Sequence, residues 1–375
     1  MKFAIISPYP PLKGGISKET EVLHHILKGN FDIKIFSFYK LYPNFLYPSN
    51  YQSDITQFDN HQNVLPSISS MNIFTWIKTV NLILDNNTTH LLFRHWTPLF
   101  IPMYLFILNR IRYKNKKIKF FCICDNIYPH ERIIFDKILI NYFFRKIDRF
   151  MVMSTESNLK LSNIINDNTK VIQSFLPLKL LFDNKVSQLS SLKKIRIIKP
   201  RLLLLFFGFI RDYKGLDILL DAINKVSNLD IKLLIAGECY IQNNRYKKII
   251  DYYNLNGKII WHNYYIPDKD IKYYFSACDA VVLPHKRISQ SGIIPIAYEF
   301  NKLVICSNIS SFKENIIDNK TGYLFENNNS DSLSIKIKYI YSNHNFMNSI
   351  KFIKDYKKRY SNLNIINDFK KLISL

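Results

Sequence analysis

Apolar residues in this chain come in short runs that alternate with stretches of helical spacing. Residues 2–7 (KFAIIS) form such a run, stopped by Pro8, Pro10 and Pro11 and followed by a Gly14–Gly15 pair. From 17 to 28 the apolar positions Val22, Leu23, Ile26 and Leu27 recur at the spacing of one helix face. Strand, glycine-bearing loop and helix make the opening unit of a doubly wound α/β domain. Further strands are predicted at 32–38, 90–93, 119–124 (KFFCIC) and 150–154, the last followed by a helical segment. Apolar strands alternating with helices imply a parallel sheet covered on both faces.

Between 182 and 201 the chain turns polar and lysine-rich without a clear period, and then the pattern restarts. Residues 201–208 (RLLLLFFG) predict a buried strand and 216–226 an amphipathic helix; 232–237 (KLLIAG), 258–261, 280–283 and 303–307 (LVICS) predict further strands. The expected organisation is α/β in two parts. A first domain covers 1–183, a linker 184–200, and a second domain 201–375, with its last helix able to pack back on the first. Ligands of open parallel sheets bind outside the carboxyl ends of the strands. Two such sheets in tandem are expected to face one another across a cleft, a layout that suits chemistry between two substrates.

The length of 375 residues fits two domains of ordinary size, and 47% hydrophobic residues can fill two cores, which excludes disordered, collagen-like and coiled-coil chains. Five cysteines without regular spacing suggest neither a disulfide framework nor a metal site, and point to the reducing cytosol. The formal charge of +23 has three readings: a bias towards Ile, Asn, Lys, Tyr and Phe spread over solvated surface, an anionic membrane or substrate, or nucleic acid. No recognition motif or arginine-rich helix supports nucleic acid, and none is expected as a partner. One patch concentrates the charge, with Arg110, Arg112, Lys114, Lys116, Lys117 and Lys119 uninterrupted by an acid. It follows the apolar run 99–108 (LFIPMYLFIL), far short of the ~20 residues needed to span a bilayer. That run is either a core helix or a surface resting on an anionic leaflet. The start (MKFAIISPYPP) is too short in apolar length, and too soon stopped by proline, for a signal peptide. The protein is expected to be cytoplasmic, at most peripheral on the inner face of the membrane.

Candidate chemistry gathers at loops after strands. In 208–222 (GFIRDYKGLDILLDA) a buried strand ends at Gly208, Arg211 and Lys214 follow, Gly215 turns the chain and a helix starts. Two cations beside a helix N-terminus suit a diphosphate, and the plain alternative is a turn with two solvated cations. Ser291 and Gly292 precede another helical run, so their amides can address an anion; Glu299 lies further along it, as a binding group or a surface residue on a core helix. Gly14 and Gly15 can let backbone approach a phosphate or can simply turn the chain. No G-x-G-x-x-G follows the first strand and no P-loop occurs, which argues against dinucleotide binding and P-loop chemistry. Asp125, Asn126 and His130 in CDNIYPHER follow a strand; His130 can bond a sugar hydroxyl, move a proton or merely fill a loop. No Asp-x-Asp stands where a divalent metal would bridge a nucleotide diphosphate, so cationic side chains are expected to take that part, without metal or other cofactor.

Taken together, these segments resemble the retaining glycosyltransferases of family 4, which have the two-domain GT-B fold. The resemblance covers nearly the whole chain. It rests on SPYPPLKGG, FGFIRDYKGLDILLDA, KLLIAGE, YFSACDAVVLPHK, SQSGIIPIAYEFNKLVI and FKENIIDNKTGYLF, in that order. RHWTPLFIP and CDNIYPHER look closer to a bacterial subgroup linked to surface-polysaccharide assembly. The resemblance implies two Rossmann-like domains, the first on the acceptor side and the second binding a nucleotide-sugar donor. Lys214 and Arg211 would grip the donor diphosphate, with Gly14 and Gly15 against the same phosphates. Ser291, Gly292 and Ile293 would offer amides to the diphosphate and ribose, the loop at Tyr265–Ile266 would hold the base, and His130 would approach the donor sugar or acceptor. The acceptor would be a glycan or a lipid-linked saccharide.

Departures from the family's pattern are specific. Its usual arginine, five residues before the lysine, is here Phe209, for which Arg211 would substitute. Its pair of glutamates is missing: the corresponding places lie near Ser289 and at Ile296–Ala297, with Glu299 about one turn later. Its later Gly–Gly is Ser310–Ser311, although Glu314 matches. The expectation is a divergent enzyme with its phosphate grip intact, or a sugar-nucleotide-binding protein that has lost catalysis.

Overall fold

Two all-parallel sheets organise the chain, each made of strands so apolar that both faces must be covered. The computed structural model describes residues 1–42, 62–128, 134–175, 186–239, 244–288, 291–343 and 347–374. The chain divides into two units, one of Met1–Pro177 with Tyr360–Leu375 and one of Leu178–Arg359.

In the first unit the strands are β1 (Lys2–Ile6), β2 (Asp32–Lys40), β3 (Val64–Ser69), β4 (His90–His95), β5 (Lys119–Cys124), β6 (Arg149–Val152) and β7 (Val171–Gln173). They lie in the order β3-β2-β1-β4-β5-β6-β7. Alternate residues of each strand face opposite sides. Phe3, Ile5, Leu92, Phe121, Ile123 and Met151 pack against the helices Gly15–Leu27 and Asn362–Ser374. Ala4, Ile6, Leu91, Phe93, Phe120 and Cys122 face the core built with the helices Ile73–Asp85, Ile101–Lys114 and Ile134–Phe144. In the apolar run at 99–108, Phe100, Ile101, Met103, Tyr104, Ile107 and Leu108 are buried in this core, while Leu99 and Pro102 are exposed. No helix among the described residues is long and apolar enough to cross a membrane.

The second unit holds β8 (Leu202–Phe207), β9 (Ile231–Ala236), β10 (Ile259–His262), β11 (Ala280–Leu283), β12 (Leu303–Ser307) and β13 (Gly322–Phe325), in the order β10-β9-β8-β11-β12-β13. The strand order reverses between β8 and β11, which pair directly through Ala280↔Leu204 and Val281↔Leu205. Such a reversal opens a crevice at the carboxyl ends of the two strands. Part of the segment expected as a linker, 184–200, is instead ordered against this unit. It contains the helix Gln188–Lys194, capped by Ser187, and Gln188 donates to the Ala277 carbonyl and to Asp279. Lys199 pairs with the same Asp279, whose carboxylate also accepts from the Leu203 amide.

Candidate functional site

At the crevice between β8 and β11, Gly208 ends β8 and takes φ +94, and a 3-10 turn Asp212–Lys214 leads through Gly215 (φ +68) into the helix Leu216–Asn224. Both glycines are required by their surroundings as well as their backbone. A β-carbon at Gly215 would stand 2.0 Å from the Pro284 carbonyl oxygen, so its absence lets this turn close onto the end of β11. At Gly208 a β-carbon would stand 2.9 Å from Lys214 Nζ, so the lysine head occupies the space a side chain would need.

Lys214 is half-buried and makes no hydrogen bond or ion pair among the described residues. The nearby carboxylates are engaged elsewhere. Asp212 accepts from Arg245 at 2.7 Å, and Asp217 pairs with Lys286 at 2.7 Å and Arg245 at 3.6 Å. Loss of solvent around the ammonium, reinforced by the charge of exposed Arg211, lowers the Lys214 pKa to about 7. A cation held this way gains most from an incoming anion, since few protein groups compensate its charge. Lys214 and Arg211 are thus brought together as the sequence spacing suggested.

Two neighbours were invisible in the sequence. His285, two residues past β11, is 2% exposed, and its ring stacks on Tyr213 with centroids 6.1 Å apart. Burial and the Lys214 charge hold its pKa well below the usual histidine range, so the ring is neutral. Lys286 donates its amide to the Tyr213 carbonyl at 2.7 Å and its ammonium to Asp217, tying the β11 loop to the Lys214 turn. The one sequence signal was the PHK tripeptide at the end of a buried strand.

Further along, Gly292 caps the helix Ile293–Glu299, and the Ile293 amide donates to Ser291 Oγ at 3.3 Å. Glu299 is not brought to that end. It closes the helix at its carboxyl terminus, about 9 Å along the axis from Ile293 at ~1.5 Å per residue, and pairs with Lys357 at 3.5 Å. Ile296 and Ala297, where a glutamate was looked for, are buried and apolar, and Ser289 lies outside the described residues. Ile266, expected beside the base, is buried in the loop after β10, and Tyr265 next to it packs on Phe209 with ring centroids 6.1 Å apart.

In the first unit the strand order reverses between β1 and β4. Gly14 (φ +130) caps the helix Gly15–Leu27, and a β-carbon at Gly14 or Gly15 would meet nothing within 4 Å. Asp125, expected on the acceptor side, is instead 1% exposed and consumed by an ion pair: Arg94 Nε donates to Oδ2 at 2.7 Å and Nη2 to Oδ1 at 2.9 Å. The same guanidinium reaches Glu19 and Thr20, so Arg94, which the sequence reading passed over, fastens the first helix to the end of β5. Asn126 is half-buried beside Asp125, and His130 lies outside the described residues.

Residues 188–358 match the family described as Glycosyl transferases group 1. The matched residues lie within the second unit and support reading the protein as an enzyme. The whole chain is similar in fold to Anabaena HepE in complex with UDP-glucose, with a TM-score of 0.78 and 14% identity over 100% of both chains. A glycosyltransferase from Rickettsia africae ESF-5 superposes with a TM-score of 0.75 and 18% identity, over 100% of this chain and 99% of that one. Sucrose-phosphate synthase from Thermosynechococcus elongatus gives 0.76 and 15%, over 100% and 99%. These are GT-B folds, and the two parallel-sheet units of this chain share that architecture. No curated protein matches the sequence.

Proposed function

We propose that this glycosyltransferase moves a hexosyl group from a nucleoside-diphospho-sugar, UDP before GDP, to a glycan or lipid-linked saccharide acceptor in polysaccharide or lipopolysaccharide biosynthesis. The observation that carries the reading is Lys214, a half-buried cation without a carboxylate partner among the described residues, at the strand-order reversal of the part of the chain that matches glycosyl transferases group 1. The donor class has support from HepE, a protein of the same fold whose structure holds UDP-glucose, and the acceptor class from the fold likeness to a lipopolysaccharide outer core galactosyltransferase, WaaB, at a TM-score of 0.69 and 14% identity.

In this reading the bond between the anomeric carbon and the diphosphate oxygen breaks first, leaving an oxocarbenium-like sugar and a nucleoside diphosphate. The acceptor hydroxyl attacks on the face the leaving group vacates and gives its proton to the departing phosphate, so the anomeric configuration is retained. Lys214 and Arg211 neutralise the charge that grows on the diphosphate, a preorganised contribution worth about 10²–10³ in rate at comparable sites. The Ser291–Ile293 amides add donors to the phosphates, and the loop at Ile266 seats the base. No metal takes part. The enzyme works in the cytoplasm, where exposed Arg110, Lys114, Lys116, Lys117 and Lys119 can meet an anionic inner leaflet.

Nucleotide release from UDP-, GDP- and ADP-sugars in the presence of a chelator tests the proposal, with the anomeric configuration of any product read by NMR. Release from one donor and a product of retained configuration are expected; inversion, or a chelator-sensitive rate, contradicts the mechanism. A second reading, a catalytically degenerate sugar-nucleotide binder, is favoured by the apolar Ile296–Ala297 and by Glu299 sitting at the wrong end of its helix. Binding of a sugar nucleotide without turnover, with every acceptor class supplied, would select it.

A further inference from the structure

His285 stands where the crevice between β8 and β11 opens, yet nothing in the fold uses its polarity. Its Nδ1 is closed off from solvent with no hydrogen-bond partner, and the side chain has no other hydrogen bond among the described residues. Its Nε2 is also unbonded but is not closed off from solvent, so it is the ring nitrogen left to meet a ligand. Packing alone would be served as well or better by a phenyl ring, since the imidazole lies between Tyr213, at 6.1 Å, and Phe312, at 5.4 Å. With no acceptor at Nδ1, the single proton of the neutral ring rests on Nε2.

The surroundings hold this ring firmly in place. Ser307 Oγ donates to the His285 carbonyl at 2.6 Å, Lys286 bonds to Tyr213, and Pro284 closes on Gly215. His285 is therefore fixed two residues past the end of β11, the neighbour of β8, in the loop that closes onto the Tyr213–Gly215 turn carrying Lys214.

We propose that His285 is a ligand-contacting residue of the donor site, its Nε2–H donating to a diphosphate oxygen held by Lys214. The proposal rests on the donor-site reading above and adds to it a neutral donor beside the cation. A neutral imidazole suits that place because it adds a directed hydrogen bond without repelling Lys214.

The test uses the full chain, titrated by calorimetry with UDP, GDP and ADP and with the matching nucleosides, in wild type, His285→Phe and His285→Gln. His285→Phe keeps the aromatic packing and removes an unpaired buried nitrogen, so its melting temperature is expected to stay level or rise. Its affinity for the cognate nucleoside diphosphate is expected to fall about ten- to hundredfold, the worth of one hydrogen bond to a charged acceptor. Affinity for the nucleoside alone is expected to be unchanged, and His285→Gln, which returns an N–H near Nε2, to recover most of the loss. Unaltered diphosphate affinity in His285→Phe overturns the proposal alone, as does an equal loss for nucleoside and diphosphate, which would report a disturbed loop. A wild-type protein that binds no nucleoside diphosphate overturns the donor-site reading and this inference with it.

Discussion

The ammonium of Lys214 fills the space that a side chain at Gly208 would need, since a β-carbon there would stand 2.9 Å from Nζ. The strand end and the cation are thus fitted to one another. Gly208→Ala is expected to push the ammonium away and to strain a backbone at φ +94, at a stability cost of about 1–3 kcal/mol. Donor turnover should fall further than that cost explains, which kcat measured on the fraction still folded at 20 °C would show. Normal kcat in the folded fraction would mean that the exact seat of Lys214 is unimportant.

Binding of a sugar nucleotide is expected to depend on pH through Lys214. In the free protein burial and the Arg211 charge lower the Lys214 pKa to about 7. A bound diphosphate favours the charged form, so the pKa rises on binding, and above about pH 7 the complex takes up a proton. Affinity is then highest below that pH and falls as pH rises, by up to about tenfold per unit until the raised pKa of the complex is passed. His285 stays neutral over the range and adds nothing to the slope. Titration in buffers of different ionisation enthalpy reads the proton uptake directly, and Lys214→Met should abolish it.

Asp125 belongs to the framework of the first unit, and its removal is expected to destabilise. Asp125→Ala leaves a buried guanidinium with one fewer partner, a loss of about 3–5 kcal/mol in comparable buried pairs. Urea denaturation measures it. A variant of unchanged stability with a raised acceptor KM would restore the acceptor role expected from sequence.

Much of the fold was legible because its central strands are continuous apolar runs. Residues 119–124, 280–283 and 303–307 were expected as strands and are strands at those bounds. Strands β3, β7 and β13, which no long apolar run announces, are all edges: β3 carries Pro66, none of the three residues of β7 is fully buried, and β13 has only four residues and opens on Gly322. Strand ends were blurred where side chains change task, as at Ser154, which was read into a strand but caps the following helix by accepting from the Ser157 amide.

The site was legible only where its chemistry is local in sequence. Arg211 and Lys214 share one turn, and their spacing from Gly208 and Gly215 announced them. Arg94 and Asp125 stand 31 residues apart, and nothing in CDN says that the aspartate is spent on an arginine two segments earlier. His285 was hidden for the same reason, because its significance lies in Tyr213 and Phe312 closing over it. Glu299 misled because spacing along a helix sets which face a residue shares, not which end of a seven-residue helix it reaches.

The central claim is that Lys214 grips the donor diphosphate, and turnover of the cognate sugar nucleotide by wild type and Lys214→Ala tests it most directly. The account predicts a loss of about 10²–10³ in kcat with an unchanged melting temperature, because the ammonium makes no hydrogen bond or ion pair among the described residues. Wild-type kcat in a folded Lys214→Ala protein would contradict it.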